Sequence, residues 1–160
     1  MNDPLLALLQ TKARYTNDEL AEALSLSHEE VSQRISDWEK NGTILGYQAV
    51  IDEGKVDTSI VTAFIEVKVT PERGGGFDSL AMRVARFDQV VSCYLASGGY
   101  DLMIVVEGTN LRDVASFVSE KLSSLDGVIS TATHFRLKTY KEKGFIFESE
   151  DPEGRLPVAP

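Results

Sequence analysis

The chain has 160 residues, 42% of them hydrophobic, which fits one or two small globular domains and excludes a disordered chain. Its net charge of −9 at pH 7 argues against nucleic-acid binding through a broad basic surface. No apolar run approaches the roughly 18 residues of a membrane span, and the start of the chain lacks a signal-peptide pattern. We therefore expect a cytoplasmic protein that does not cross a membrane.

The first segment of the chain predicts three helices. Residues 4–10 place leucines on one face of a first helix. Thr16 and Glu19 have the spacing of a capping box, which predicts the start of a second helix. The apolar face of this second helix is formed by Leu20, Ala21 and Leu24.

A third helix follows the tight turn "SLS". Ser27 and Glu30 repeat the capping box at its start, and Asn41-Gly42 predicts a left-handed stop at its end. Its buried stripe is formed by Val31, Ile35 and Trp38. Two helices joined by a tight turn form a helix-turn-helix, in which the second helix contacts base edges. On the exposed face of this helix, three side chains can bind base edges or phosphates, which are Ser32, Gln33 and Arg34.

The charge of this segment conflicts with a DNA-binding role. Residues 1–53 hold 4 Lys+Arg and 10 Asp+Glu, against 12 and 15 in residues 54–160. Glu29 and Glu30 lie in the first turn of the third helix, where the helix dipole favours negative charge. They stabilise the helix but do not help a phosphate approach its N-terminus. An alternative therefore stays open, in which the acidic first domain binds a basic protein partner.

Beyond the helices the pattern predicts a second domain. "TILGYQAVID" predicts a strand that leaves the helices, and "EGKVDTS" predicts a linker. Strand and helix patterns then alternate through "VTAFIEVKV", "FDSLAMRVARF", "VVSCYLAS", "LMIVVEG", "NLRDVASFVSEKLSSL" and "DGVISTATHFRLKTY". The order is βαββαβ, that of a ferredoxin-like fold. We predict domains at residues 1–46 and 60–140, a linking strand and hinge at 47–59, and an acidic tail at 141–160.

Several patterns that could carry chemistry have a simpler interpretation. "PERGGGFDSL" lacks the G-x-x-x-x-G-K-[ST] pattern of a phosphate loop and is typical of a flexible connection. Cys93 is the sole cysteine and lies in an apolar run, which predicts a core thiol. Neither His28 nor His134 has a ligand partner at metal-binding spacing. No catalytic set is visible, so we expect no enzymatic activity, no metal and no cofactor.

The combination of helix-turn-helix, linking strand and βαββαβ domain resembles the leucine-responsive regulator / asparagine regulator (Lrp/AsnC) family of bacterial and archaeal transcription factors. The resemblance covers about residues 2–148 and is carried by "LLALLQTKARYTNDELAEALSLSHEEVSQRISDWEKNGTILGY", "SGGYDLMIVVEG" and "LDGVISTATHF". It implies an α+β chain, in which a winged-type helix-turn-helix domain of three helices precedes a ferredoxin-like βαββαβ ligand-sensing domain. His28 and Glu29 replace the polar pair that usually begins the family's reading helix, and Trp38 replaces a leucine.

The resemblance implies two binding sites. The reading helix would enter the major groove of DNA and contact it through Ser27, His28, Glu29, Ser32, Gln33, Arg34 and Lys40. From the residues alone, Gly98-Gly99 predicts only a hairpin turn. By resemblance this turn would hold an amino-acid effector, through Ser97, Gly98, Gly99, Tyr100 and Asp101. A wall from the last strand would add Ser130, Thr131, Thr133 and His134.

We therefore expect a transcriptional regulator that binds promoter or operator DNA and responds to an amino acid or a related small metabolite. By resemblance it forms a homodimer that assembles into a tetramer or octamer. Several reading helices that bind at once raise avidity, even when each contact is weak. An amino acid bound between dimers would then shift the populations of the assembly states. The alternative is a ligand-sensing interaction protein whose acidic first domain binds a protein rather than DNA.

Overall fold

A computed structural model describes residues 3–56, 59–71 and 76–147. The chain divides into two compact units between Ile51 and Asp52, within the predicted linking segment. Among the described residues no helix is long and apolar enough to cross a membrane. The predicted tail from residue 148 onward, and the centre of the predicted loop "TPERGGG" at residues 72–75, lie outside the described residues.

Three helices form the first unit, as predicted: α1 (Pro4–Thr11), α2 (Asn17–Leu24) and α3 (His28–Lys40). The capping box predicted at α2 is present, because Thr16 Oγ1 accepts from the Glu19 amide at 3.2 Å and Glu19 Oε2 accepts from the Thr16 amide at 2.7 Å. These two bonds satisfy amides that the helix itself leaves without acceptors. The start of α2 is thus set by local sequence.

The start and end of α3 also follow from local bonds. Of the box predicted at its start, the structure shows the hydroxyl half, in which Ser27 Oγ accepts from the Glu30 amide at 3.1 Å. Gly42 takes a φ of +77°, the left-handed stop that was predicted. Val31 is fully buried, and Ile35 and Trp38 pack partly buried beside it. The core of this unit is completed by Leu5, Leu20 and Ala21.

Asp3 joins the start of α1 to the middle of α3. Its Oδ1 accepts from the amides of Leu5 and Leu6 at 3.0 and 3.3 Å, which caps α1. Its Oδ2 lies 2.5 Å from Nη2 of Arg34, and 30% and 32% of these two side chains are exposed. The guanidinium of Arg34 also lies over the Trp38 ring, 5.2 Å from its centroid. One carboxylate therefore holds both a helix start and the packing of α1 on α3.

The strand predicted for residues 43–52 is not found among the described residues. Helices are the only regular elements in the described part of the first unit, so the predicted wing is also absent from it. Leu45 is 94% exposed, and Tyr47 and Ile51 are exposed as well. A strand needs a neighbour to complete its hydrogen bonds, and none of the described strands pairs with this segment. The apolar residues of the segment predict a strand, but they do not provide a second strand whose backbone could pair with it.

The second unit contains an antiparallel sheet in the order β2-β3-β1-β4. Its strands are β1 (Val61–Val69), β2 (Val90–Leu95), β3 (Leu102–Gly108) and β4 (Val128–Phe135). Helix α4 (Asp78–Val84) follows β1, and α5 (Leu111–Ser116) follows β3 and continues as a π-helical segment, Phe117–Leu122. A single 3₁₀ turn, Glu53–Lys55, precedes β1. This is the predicted ferredoxin-like order.

Alternation along β1 decides which face of the sheet the helices cover. Buried side chains of β1 meet those of β3, α4 and α5 in one core formed by Ala63, Ile65, Val67, Val69, Leu80, Val84, Leu102, Ile104, Val106, Val114, Phe117 and Leu122. Phe64, Glu66 and Lys68 lie on the opposite face, which we call the open face. This period of two confirms the predicted strand.

The last helix keeps part of its predicted stripe, which was Leu111, Val114, Ala115, Val118 and Leu122. Val114 and Leu122 are buried, and Val118 packs against the core. Leu111 is 58% exposed, whereas Phe117 is buried and meets the Phe87 ring edge-on at 5.5 Å. A π-helical turn closes through i→i+5 hydrogen bonds and so contains additional backbone. Phe117 and Leu122 therefore share the buried face at a spacing of five, which a regular helical period does not predict.

A hairpin follows the sheet at residues 141–146, which were predicted to belong to the tail. Strand β4 ends at Phe135, before the predicted end at Tyr140. Further on, β5 (Lys141–Glu142) pairs with β6 (Phe145–Ile146). Lys143 and Gly144 make the turn with φ of +45° and +93°. The sequence feature that could have predicted this hairpin is the glycine in its two-residue connection.

Replacement of Asp3 tests the link between α1 and α3. We expect Asp3→Ala to lower the free energy of unfolding of the first unit by about 1 to 2 kcal/mol, because it removes the α1 cap and the partner of Arg34. Trp38 is the only tryptophan and lies in this unit, so its fluorescence in a urea titration reports the loss. Asp3→Asn keeps an efficient cap and should lose less stability. Equal stability of Asp3→Ala and the parent chain would contradict the assignment.

Thr62 tests the packing of the second unit. It is 3% exposed, and its Oγ1 has no hydrogen-bond partner in the described structure. Thr62→Val keeps the shape of the side chain and removes the unsatisfied hydroxyl, so we expect a gain of about 1 kcal/mol in the free energy of unfolding. Urea unfolding followed by circular dichroism measures it, with exposed Thr70→Val as the matched control. A loss of stability would mean that the hydroxyl has a partner.

Candidate nucleic-acid and effector sites

The outer side of α3 carries most of the predicted DNA contacts. His28, Glu29, Ser32, Gln33 and Lys40 are exposed. Gln33 Nε2 donates to Asp37 Oδ1 at 2.8 Å, one helical turn further along. These exposed side chains are free to reorient, because a surface bond between neighbours on one helix contributes only a few tenths of a kcal/mol.

Two residues of the predicted DNA-contact set have structural partners instead. Ser27 uses its hydroxyl to cap α3. Arg34 is half-buried and bound to Asp3, with its guanidinium over Trp38. A guanidinium that reads guanine must present two N–H groups outward. Arg34, one of the three side chains predicted to suit base edges or phosphates, is therefore held within the unit.

His28 and Asp18 connect the N-terminal turns of α3 and α2. His28 Nδ1 lies 2.7 Å from Asp18 Oδ1, and 53% and 84% of the two side chains are exposed. The hydrogen bond from Asp18 raises the pKa of His28 above its ordinary value, against a smaller opposing effect of desolvation. The imidazole thus gains positive charge more readily than a free histidine does.

The turn between α1 and α2 supplies cations that were not in the predicted site. Arg14 is exposed, just before the Thr16 cap of α2. Lys12 is exposed too and lies over the Tyr15 ring, 4.4 Å from its centroid. Together with Lys40, these residues are the exposed bases of the first unit. The sequence feature that could have revealed Lys12 and Arg14 is the Lys-Ala-Arg segment between two helices.

The glycine turn between β2 and β3 is open, and Asp101 anchors it. Gly98 takes a φ of +133°, and a Cβ atom at Gly98 or Gly99 would meet no atom within 4 Å. Asp101 Oδ2 accepts from the Val69 amide at 2.9 Å, and the Asp101 amide donates to the Val67 carbonyl at 2.9 Å. The carboxylate predicted to pair with an effector ammonium thus already binds the end of β1. Its second oxygen stays available for another donor.

The predicted wall on β4 is divided between the two faces of the sheet. Val67 pairs with Thr131 and Ile65 pairs with Thr133, so both threonines share the core face. The remaining wall residues lie on the open face: Ser130 opposite Lys68, and His134 opposite Phe64. Four residues that alternate along one strand cannot line a single surface.

Position along β4 separates the wall residues further. The glycine turn lies at the end of the sheet where Leu102 pairs with Val67, the partner of Thr131. His134 is three residues further on, or roughly 10 Å at the rise of a strand. Its Nε2 lies 3.4 Å from Glu66 Oε1 on the open face. The structure brings Ser130 and Thr131 toward the turn and leaves His134 away from it.

Metal and thiol chemistry find no support in the described structure. Among the described residues no group of three or more His, Cys, Asp or Glu side chains could hold a metal ion. Cys93 is half-buried against the core, and burial raises the pKa of its thiol. A raised thiol pKa lowers the thiolate fraction, which is the reactive form. This agrees with the predicted structural role.

Comparison with known proteins identifies the family. A model of the Lrp/AsnC ligand binding domain matches residues 62–145. The HTH-type transcriptional regulator YugG of Bacillus subtilis is 47% identical over 157 residues, which cover 98% of this chain and 95% of that protein. The proline dehydrogenase transcriptional activator of Rhodobacter capsulatus is 28% identical over 139 residues, 87% of this chain and 90% of its own.

Solved structures agree with this match. A transcriptional regulator from Neisseria meningitidis, crystallised as a complex with L-Met, superposes with a TM-score of 0.66 at 26% identity and covers 89% of this chain and 94% of its own. AsnC of E. coli shares the fold, with a TM-score of 0.65 at 22% identity over 86% of this chain and 91% of its own. The chain belongs to the Lrp/AsnC family of transcriptional regulators.

Proposed function

We propose that this regulator binds promoter or operator DNA through the outer side of α3 and responds to an amino acid or related metabolite through its second unit. The observation that carries the DNA-binding part is the exposed polar face of α3, which follows α2 after a tight turn. Helices in this arrangement place their N-terminal residues in the major groove. The alternative, an acidic domain that binds a protein, gains no support from relatives that are named as transcriptional regulators.

The proposed DNA surface reads base edges through two uncharged side chains and one acidic side chain. Gln33 can bond adenine, Ser32 can bond several bases, and Glu29 can accept from the cytosine amino group. Lys40 and Arg14 would contact phosphates. We do not assign base reading to Arg34, because its guanidinium binds Asp3. Each copy then offers few phosphate contacts, so binding depends on two or more copies acting together.

The proposed effector site is the open end of the glycine turn. Backbone amides at Gly98 and Gly99 suit a carboxylate, and the available oxygen of Asp101 suits an ammonium. Ser130 and Thr131 lie at the same end of the sheet. That a relative was crystallised as a complex with L-Met supports an amino acid as the ligand class. His134, at the other end of the strand, lies outside this site.

Assembly is proposed to use the open face of the sheet. Phe64 and Tyr94 are exposed there, and Met103 and Val105 are half-buried beside them. An apolar sheet face of this kind is a candidate interface with a second copy of the chain. We propose a homodimer that assembles further into a tetramer or octamer. An amino acid that binds one assembly state more tightly would shift the populations and the spacing of the α3 helices.

Replacements on α3 separate base reading from phosphate contact. We expect Gln33→Ala to reduce the preference for a selected duplex over a scrambled one by about tenfold, since a base contact contributes about 1 to 3 kcal/mol. Lys40→Ala should weaken binding to both duplexes alike and reduce the salt slope by about 0.9 for each Lys40 that contacts a phosphate. Fluorescence anisotropy across salt measures both. Equal preference in Gln33→Ala and the parent chain would contradict base reading by α3.

Asp101→Asn tests the effector site. The amide oxygen can still accept from Val69, so the turn should keep its place while the charge for an ammonium is lost. We expect amino-acid affinity to fall by about tenfold or more. Calorimetry with each of the twenty amino acids in turn measures the response, with exposed Asp88→Asn as the control for a lost charge. Unchanged affinity in Asp101→Asn would exclude Asp101 as the ammonium partner.

A further inference from the structure

The hydrogen bond between His28 and Asp18 determines which ring nitrogen of His28 changes from acceptor to donor when the ring is protonated. An ionised carboxylate only accepts, so the Nδ1 that lies 2.7 Å from Asp18 Oδ1 carries a proton. Nε2 is then the atom that differs between the two charge states. It accepts a hydrogen bond in the neutral ring and donates one in the protonated ring. His28 is also the first residue of α3, the end that approaches the groove in a helix-turn-helix.

The two charged groups that act on His28 both favour the protonated ring. Asp18 of α2 bonds it directly, and Glu29 follows it on α3. The pKa of His28 is raised, first by the Asp18 hydrogen bond, and desolvation lowers it by less. The pair stabilises the folded state fully below the unfolded pKa of about 6.5, and that stabilisation is lost as pH rises through the raised folded value.

We propose that His28, oriented by Asp18, is a pH-dependent specificity residue of the DNA-binding surface, with Nε2 as the atom that contacts DNA. The neutral ring accepts from an amino group of adenine or cytosine. The protonated ring donates to a phosphate or to guanine and adds a positive charge to each copy. This inference rests on the proposed DNA-binding function. Asp18 acts as a positioning residue, since it reaches DNA only through His28.

The test uses the full chain and a duplex selected from a random pool, with a scrambled duplex of the same composition. Fluorescence anisotropy is measured across salt at about pH 6 and about pH 8.5, on either side of the ordinary histidine pKa of about 6.5. At the lower pH we expect the salt slope of the parent chain to steepen by about 0.9 for each His28 that contacts a phosphate. The ranking of duplexes that differ at single base pairs should also change between the two pH values.

Three variants test whether the pH dependence of DNA binding arises from His28. His28→Gln should remove the pH-dependent part of the slope and of the ranking. Asp18→Asn should keep the pH dependence but move its midpoint to lower pH, which a merely structural role for Asp18 would not do. His134→Gln, the matched control in the second unit, should keep the pH-dependent part of the slope and of the ranking. Because the chain has two histidines, the same variants assign the two imidazole resonances in a proton NMR titration.

The outcomes separate this inference from the function on which it rests. Equal binding of selected and scrambled duplexes at both pH values would overturn both. Sequence-preferring binding whose pH dependence survives in His28→Gln would overturn the inference alone. An imidazole midpoint for His28 that is unchanged by Asp18→Asn would likewise overturn the positioning role of Asp18.

Discussion

The carboxylate of Asp3 limits how the first unit can meet DNA. It caps α1 and holds the guanidinium of Arg34, so the unit folds by engaging one of its four basic side chains. The exposed bases that remain are Lys12, Arg14 and Lys40. A phosphate backbone attracts proteins mainly through such cations. The ion pair with Asp3 therefore stabilises the helical unit, but it also removes Arg34 from the cations available to phosphates.

This constraint explains how an acidic helix can belong to a regulator. Glu29 and Glu30 lie where the dipole of α3 favours them, and Asp18 makes His28 easier to protonate. In the proposed function, specific contact would come from polar side chains that bond base edges, which need no net positive field. Affinity would come from several copies bound at once. An effector would then control binding, because a change in assembly would change how many helices reach DNA together.

Sequence reasoning succeeded where the cause is local. Capping residues lie within three positions of their partners, so Thr16 with Glu19 predicted α2, and a period of two predicted β1. It failed where the cause is distant. The bond between Asp3 and Arg34 spans 31 positions, and the faces of Thr131 and His134 depend on strand register. The π-helical turn after α5 added Phe117 to the buried stripe, and residues 43–52 lacked the neighbour that a strand requires.

The central claim is that few cations bind DNA while polar groups of α3 read it. The most direct test is the salt dependence of the dissociation constant for a selected duplex that accommodates one dimer. The first units of two copies together expose Lys12, Arg14 and Lys40 of each copy. At a pH above the titration of His28, these six cations should give a logarithmic slope no steeper than about −5, at about 0.9 for each phosphate contact. The selected duplex should bind tighter than its scrambled counterpart at every salt concentration. A steeper slope, or equal binding of the two duplexes, would contradict this account.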